Sequence, residues 1–196
     1  MNATSRKIHQ YIFLLAALAI LSACAGSGPL VTDQLDPLTG VTVTRAVKPL
    51  VLYRDRSAQS AFGRDYVYLG PVEINTMGER RYYFWFGVWS TSDSVDRSTT
   101  LDQFESVVIY ADGEPLSLQL AGTTLASIGV SEPVYVRPTA SATDAFYAVT
   151  IDQIRVVAES RDLELRVGNF KPVQYIPWDT TESATAGIRE FVRSVN

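Results

Sequence analysis

The chain has 196 residues, of which 46% are hydrophobic and 19% are charged, a balance that predicts one packed domain and excludes general disorder. The formal net charge is −4, and no cluster of Lys or Arg recurs on one periodic face, which excludes the electrostatic footprint of a nucleic-acid-binding protein. Because the chain has a single cysteine, it cannot form an internal disulfide.

The first 23 residues have the pattern of a secretory signal peptide. A start that carries Arg6 and Lys7 and no acid is followed by the unbroken apolar run 11–21 and then by small residues. The run is about half as long as the roughly 20 residues that a transmembrane helix needs. A buried core helix is the alternative, but the position and flanks of the run favour the signal peptide.

The residues Leu21-Ser22-Ala23-Cys24 end this segment. They resemble the lipobox of bacterial lipoproteins, position by position and at the right distance from the start. The resemblance implies that residues 1–23 are removed, that the Cys24 thiol is joined to a diacylglycerol, and that its new amino group is acylated. By analogy with enteric sorting, Ala25 in place of Asp favours the outer membrane over the inner membrane. The alternative is an ordinary cleavage site followed by a free or disulfide-bonded thiol, although an internal disulfide is impossible with a single cysteine.

Removal of the leader changes the inventory of the chain. It leaves 15 Lys and Arg against 21 Asp and Glu, a net charge of −6, and no histidine, because His9 is removed. Residues 24–40 are rich in Gly, Pro, Ser and Asp without a sustained period, which predicts the acylated cysteine and a flexible tether. Residues 41–196 are predicted to form a single β-rich periplasmic domain.

The mature chain is predicted to consist mainly of strands. The segments 66–74 and 80–90 predict a hairpin around Gly78, the dipeptide Asp112-Gly113 suits a type I′ turn, and residues 133–138 predict a further short strand. Two helices are expected, over about 150–160 after a capping box at Thr150, and over about 181–195. About eight to nine strands with two late helices predict an antiparallel β-sandwich or a bent sheet.

The run YYFWFGVW, residues 82–89, is the most conspicuous feature of the mature chain. In a strand, Tyr83, Trp85 and Trp89 point to one side, while the remaining large residues point to the other. The strand is therefore either covered on both faces or exposed on the Tyr and Trp side. The second alternative makes Tyr83, Trp85 and Trp89 a candidate binding surface.

Two polar loops offer candidate sites for ions. Arg54, Arg56 and Arg64 are candidate contacts for carboxylates or phosphates, although Asp55 and Asp65 interleave with them and favour a solvated loop. The acids of the later loop, Asp93, Asp96 and Asp102, lack the regular spacing of a calcium-binding loop. No metal site and no cofactor are predicted.

The residue inventory closes most routes to catalysis. Without histidine or a free thiol, the mature chain cannot form a Ser-His-Asp or Cys-His arrangement, or a zinc site built on those ligands. A carboxylate pair of the glycosidase type remains, for instance Asp112 or Glu114 with Glu105 or Asp102.

We therefore expect a membrane-anchored periplasmic lipoprotein that is not an enzyme and acts as a binding or assembly factor. Its expected partners are the membrane, through the acyl chains on Cys24, and an envelope protein or a cell-wall component. Nucleic acid is not an expected partner. A cell-wall glycan hydrolase and a carrier of an apolar ligand are the alternatives.

Overall fold

The computed structural model describes residues 28–56, 63–91, 104–179 and 182–195. Ten strands and three helices lie in these ranges. The strands are β1 Val31–Leu35, β2 Thr42–Ala46, β3 Leu50–Asp55, β4 Arg64–Thr76, β5 Glu79–Ser90, β6 Val107–Ala111, β7 Glu114–Gly122, β8 Thr143–Val149, β9 Leu163–Val167 and β10 Val173–Pro177. The helices are α1 Leu125–Ile128, α2 Ile151–Glu159 and α3 Glu182–Ser194.

Eight of the strands form a closed antiparallel barrel. Their order is β4-β3-β10-β9-β6-β7-β8-β5, and β5 pairs with β4 to complete the ring. The register between β7 and β8 shifts between Leu120 and Gly122, an irregularity of the kind that bends a sheet and lets its edges meet. The predicted mainly-β antiparallel class is confirmed, although the sheet closes into a barrel and does not fold into a two-layer sandwich.

The long hairpin of β4 and β5 carries the extra strands. β3 pairs with the first half of β4, from Arg64 to Leu69, and β2 pairs with its second half, from Val72 to Asn75. β1 then pairs with β2 and ends the sheet. Residues 31–35, which were predicted to be part of the tether, therefore form a strand of the fold. This strand is one that the predicted number of eight to nine did not include.

Two cores lie on the two faces of the sheet. The larger fills the barrel and includes Phe84 and Phe86 of β5 together with Ile154 of α2 and Phe191 of α3. The smaller lies on the outer face, where the segment 123–142 covers the second half of β4 and its neighbours. The alternation predicted along residues 82–89 is therefore confirmed, and both faces of β5 are covered over most of its length.

The local signals of the sequence are realised at most of their positions. α2 and α3 agree with the predicted helices within one residue at each end, and Thr150 and Gln153 form the predicted capping box. Asp112 and Gly113 both have positive φ, as a type I′ turn requires. Within the described ranges, no helix is long and apolar enough to cross a membrane.

The expected strand over 133–138 is wrong. Pro133 and Pro138 cannot donate to a strand ladder, and Tyr135 is instead a buried anchor. Its hydroxyl donates to the Pro71 carbonyl oxygen at 3.0 Å, and Gly70 makes room for its ring, since a Cβ there would lie 2.4 Å from Tyr135 Cζ.

The same segment is attached to the turn between β1 and β2. The Asp36 carboxylate accepts hydrogen bonds from the Ser131 backbone N–H and from its hydroxyl, each at 2.5 Å, and also from the backbone N–H of Leu38 at 3.0 Å. The Ser131 bonds are the main reason why the pKa of Asp36 lies below its ordinary value. Residues 31–40 are thus part of the folded domain, contrary to the predicted tether.

Candidate functional site

Tyr83 and Trp85 do not form the predicted exposed platform. Tyr83 is 7% exposed and Trp85 is 1% exposed, because the segment 123–142 covers them. The Trp85 ring stacks on Tyr135 with centroids 4.6 Å apart, and its Nε1–H donates to Asp144 Oδ1 at 3.0 Å. Gly87 leaves room for this ring, since a Cβ there would lie 2.6 Å from Trp85 Cη2. Gly87 therefore accommodates a core side chain.

Arg137 completes the polar side of this buried arrangement. Its Nε and Nη2 donate to Asp144 Oδ2 at 2.9 and 2.5 Å, while Trp85 uses the other oxygen. The hydrogen bond to Asp144 raises the pKa of Arg137. The Arg137 guanidinium therefore balances the charge of the Asp144 carboxylate, as a buried carboxylate requires.

Trp89 belongs to a different surface. It is the last member of a row of neighbours on adjacent strands, in which Ile176 is paired with Tyr53, Tyr53 with Tyr66, and Tyr66 with Trp89. Trp178 follows β10 and lies next to this row, and its backbone N–H donates to the Val51 carbonyl oxygen at 2.8 Å. We call these residues the aromatic face: Tyr53, Tyr66, Trp89, Ile176 and Trp178.

The rings of the aromatic face contact one another directly. Tyr66 and Trp89 are stacked, with centroids 4.7 Å apart and an angle of 13° between their planes. Trp178 meets Tyr53 edge to face at 5.1 Å and lies 6.1 Å from Tyr66. Trp178 is nevertheless 53% exposed, and the Trp89 Nε1–H is buried without a hydrogen-bond partner among the described residues.

Arg64 adds a cation to the aromatic face. Its guanidinium lies 5.5 Å from the centroid of Tyr53 and 5.2 Å from that of Trp178, within the range of cation–π contacts. Its Nε donates to Asp55 Oδ1 at 2.7 Å, and this bond raises the pKa of Arg64. The guanidinium is thus oriented by Asp55 while 40% of the side chain stays exposed.

Arg54 and Arg56 point to the inner side of the barrel wall. Both donate to Asp65, which is 4% exposed, with Arg54 Nε 2.6 Å from Oδ2 and Arg56 Nε 2.8 Å from Oδ1. Arg54 also lies 5.4 Å above the ring of Tyr175, whose pKa is raised to about 12, mainly by burial. The predicted group of three arginines is therefore divided, since Arg54 and Arg56 neutralise an internal carboxylate and Arg64 lies on the outer surface.

The described acids of the predicted glycosidase pair are far apart. Glu105 precedes β6, whereas Asp112 follows it and Glu114 pairs with its last residue. The five residues of β6 span about 15 Å between the two ends, whereas the carboxyl groups of a glycosidase are roughly 5–10 Å apart. Asp112 Oδ1 also accepts the backbone N–H groups of Arg161 and Asp162 at 2.9 Å each.

Some predicted residues lie outside the described ranges. These are Cys24 and the loop acids Asp93, Asp96 and Asp102. Among the described residues, no group of three or more His, Cys, Asp or Glu side chains is arranged to hold a metal ion.

Sequence reasoning missed four members of the aromatic face: Tyr53, Tyr66, Ile176 and Trp178. They come from separate segments and meet only through strand register, which leaves no local signal. The alternation within each strand was the one available signal, because residues that alternate with inward-facing apolar neighbours must point to the outer face.

Comparisons of the chain with protein-family models, with curated proteins and with solved structures find no match.

Proposed function

We propose that the chain is a lipid-anchored periplasmic lipoprotein that acts as a non-catalytic binding or assembly factor in the cell envelope. The segment Leu21–Cys24 supports an acyl anchor, and Ala25 supports the periplasmic face of the outer membrane. One acyl chain holds a protein only marginally at a bilayer, whereas several chains hold it firmly.

The observation that carries the binding proposal is the aromatic face with Arg64. Trp, Tyr and Arg are the residue types that dominate the energetics of binding surfaces. Here the rings lie on three neighbouring strands, β3, β4 and β5, and Trp178 directly follows a fourth, β10, which pairs with β3, so little conformational freedom is lost when a partner binds. Trp178 and Arg64 keep about half of their side chains in water, where a partner reaches them.

The remaining observations favour binding over the two alternatives. Large side chains fill the barrel, among them Phe86, Phe104 and Tyr147, so that an apolar ligand would have to displace core residues. The separation of Glu105 from Asp112 and Glu114 argues against a hydrolase that uses those acids. If such a pair were catalytic, Asp112→Asn and Glu105→Gln would abolish the release of peptidoglycan fragments.

The test is capture of an envelope component by the full lipidated protein. We would solubilise envelopes in mild detergent and analyse the proteins, glycans and lipids that co-purify with the wild type, with Trp178→Ala and with Met77→Ala. Met77 is a matched control because it is fully exposed at the turn between β4 and β5.

The proposal expects a component that the wild type and Met77→Ala retain and that Trp178→Ala loses. If all three proteins retain the same set, the aromatic face is not the binding surface. If the purified wild type releases glycan fragments, the non-catalytic proposal is wrong.

A further inference from the structure

The first strand of the fold points back toward the aromatic face. β1 is antiparallel to β2, which is antiparallel to β4, so β1 and β4 run in the same direction. Val31 pairs with Ala46, and the preceding residue Arg45 pairs with Val72, so β1 begins level with the middle of β4. β4 runs from Arg64 and Tyr66 toward Asn75, and the chain that enters β1 therefore comes from the side of Tyr66.

The chain between the anchor and this strand is short. Six residues separate Cys24 from Val31, so the Cα atoms of these two residues can be at most about 24 Å apart when the chain between them is fully extended. Tyr66 lies six residues before Val72 along β4, which places it roughly 20 Å from the middle of that strand, on the side from which the chain enters β1. A bilayer that holds the acyl chains of Cys24 is thus within reach of the aromatic face.

A second apolar group lies at the same end of the barrel. β10 is antiparallel to β3, and β3 ends at Asp55, the partner of Arg64, so the loop before β10 lies at the Arg64 end. This loop carries Phe170, which is fully exposed, followed by Lys171. Phe170 adds to the exposed apolar surface that the aromatic face presents at this end, and it is a large exposed apolar surface, more than a single ring, that marks a contact with a membrane or a partner.

We propose that the aromatic face and Phe170 dock on the surface of the bilayer that holds the acyl chains of Cys24. This inference rests on the proposed function and names the envelope component that the face contacts. Trp and Tyr favour the boundary between headgroups and acyl chains, because one end of each ring system is apolar and the other polar. Arg64 and Lys171 are long enough to reach lipid phosphates from there.

Docking in this way fixes the orientation of the domain. The turn that carries Met77 lies at the opposite end of β4 from Arg64, so it faces away from the lipid. The domain then presents one constant end to the envelope beyond the membrane.

The test places a tryptophan at each end of the molecule. The full lipidated protein is reconstituted into vesicles whose lipids carry bromine at the upper part of the acyl chains, which quenches nearby indole emission. Phe170→Trp and Met77→Trp are compared, each after subtraction of the wild-type emission. Both positions are fully exposed, so the two indoles differ only in the end of the barrel that they report.

The proposal expects most of the added emission at position 170 to be lost and that at position 77 to be unchanged. It also expects Trp178→Phe to remove most of the quenching of the wild type. If the protein floats with the vesicles but positions 170 and 77 are quenched equally or not at all, docking is wrong while the lipid anchor stands. If the protein does not float with the vesicles, the anchor is wrong, and the bilayer is not what the face contacts.

Discussion

Replacement of Asp65 by Asn tests whether Arg54 and Arg56 serve the fold or an external anion. The carboxylate is buried and holds both guanidinium groups at 2.6 and 2.8 Å. The amide would leave two cations side by side beside the apolar interior. Breaking a buried ion pair by removing one partner costs about 3–5 kcal/mol. Because each arginine keeps about a quarter of its side chain in water, we expect the low end, about 3 kcal/mol.

Urea unfolding followed by near-ultraviolet circular dichroism measures this loss. With a slope of about 2 kcal/mol per molar urea, the midpoint of Asp65→Asn should fall by about 1.5 M. Asp55→Asn is the matched control, since Asp55 pairs with Arg64 but is 67% exposed, and exposed pairs contribute little. Equal shifts in the two variants would show that Asp65 stabilises the fold no more than an exposed ion pair does, and would return Arg54 and Arg56 to the set of candidate anion contacts.

Two further predictions concern buried positions. Burial raises the pKa of Glu73, and Arg80 partly offsets this effect, so the contribution of Glu73 to stability falls as pH rises from 4.5 through its folded-state pKa. The stability of Glu73→Gln relative to wild type, measured by urea unfolding, should therefore increase over that window. A constant difference would contradict the raised pKa. Gly87→Ala forces a methyl group against the ring of Trp85 and should lower the free energy of unfolding, measured by thermal unfolding, by about 1–3 kcal/mol. Gly28→Ala is the control and should be neutral, because a Cβ there meets no atom within 4 Å. If Gly87→Ala is as stable as Gly28→Ala, the ring of Trp85 is free to move.

The sequence predicted those features of the fold that depend on neighbours in the chain. The alternation along residues 82–89 identified which rings share a face, because side chains of a strand point alternately to its two sides. Thr150 and Gln153 marked the start of α2, and Asp112-Gly113 marked a turn, since each signal lies within a few residues. These local patterns do not depend on which strands become neighbours.

The features that depend on distant segments were beyond such patterns. Trp85 is buried because Tyr135 stacks on it from a segment with no regular structure of its own at that point. Closure of the barrel depends on the pairing of strands far apart in sequence, and the same pairing brings Tyr53 and Trp89 onto one face. The sequence did not predict β1, because a short, exposed edge strand with few apolar residues resembles a linker in composition.

Intact-mass spectrometry of the protein extracted from its native membranes is the direct test of the lipid anchor at Cys24. We expect a chain that begins at Cys24 and carries the added mass of a diacylglycerol and an amide-linked acyl chain. A Cys24→Ser variant should keep its leader and carry no lipid. A wild-type chain with an unmodified thiol, or one that retains residues 1–23, would contradict the anchor and with it the proposed place of the domain at a bilayer surface.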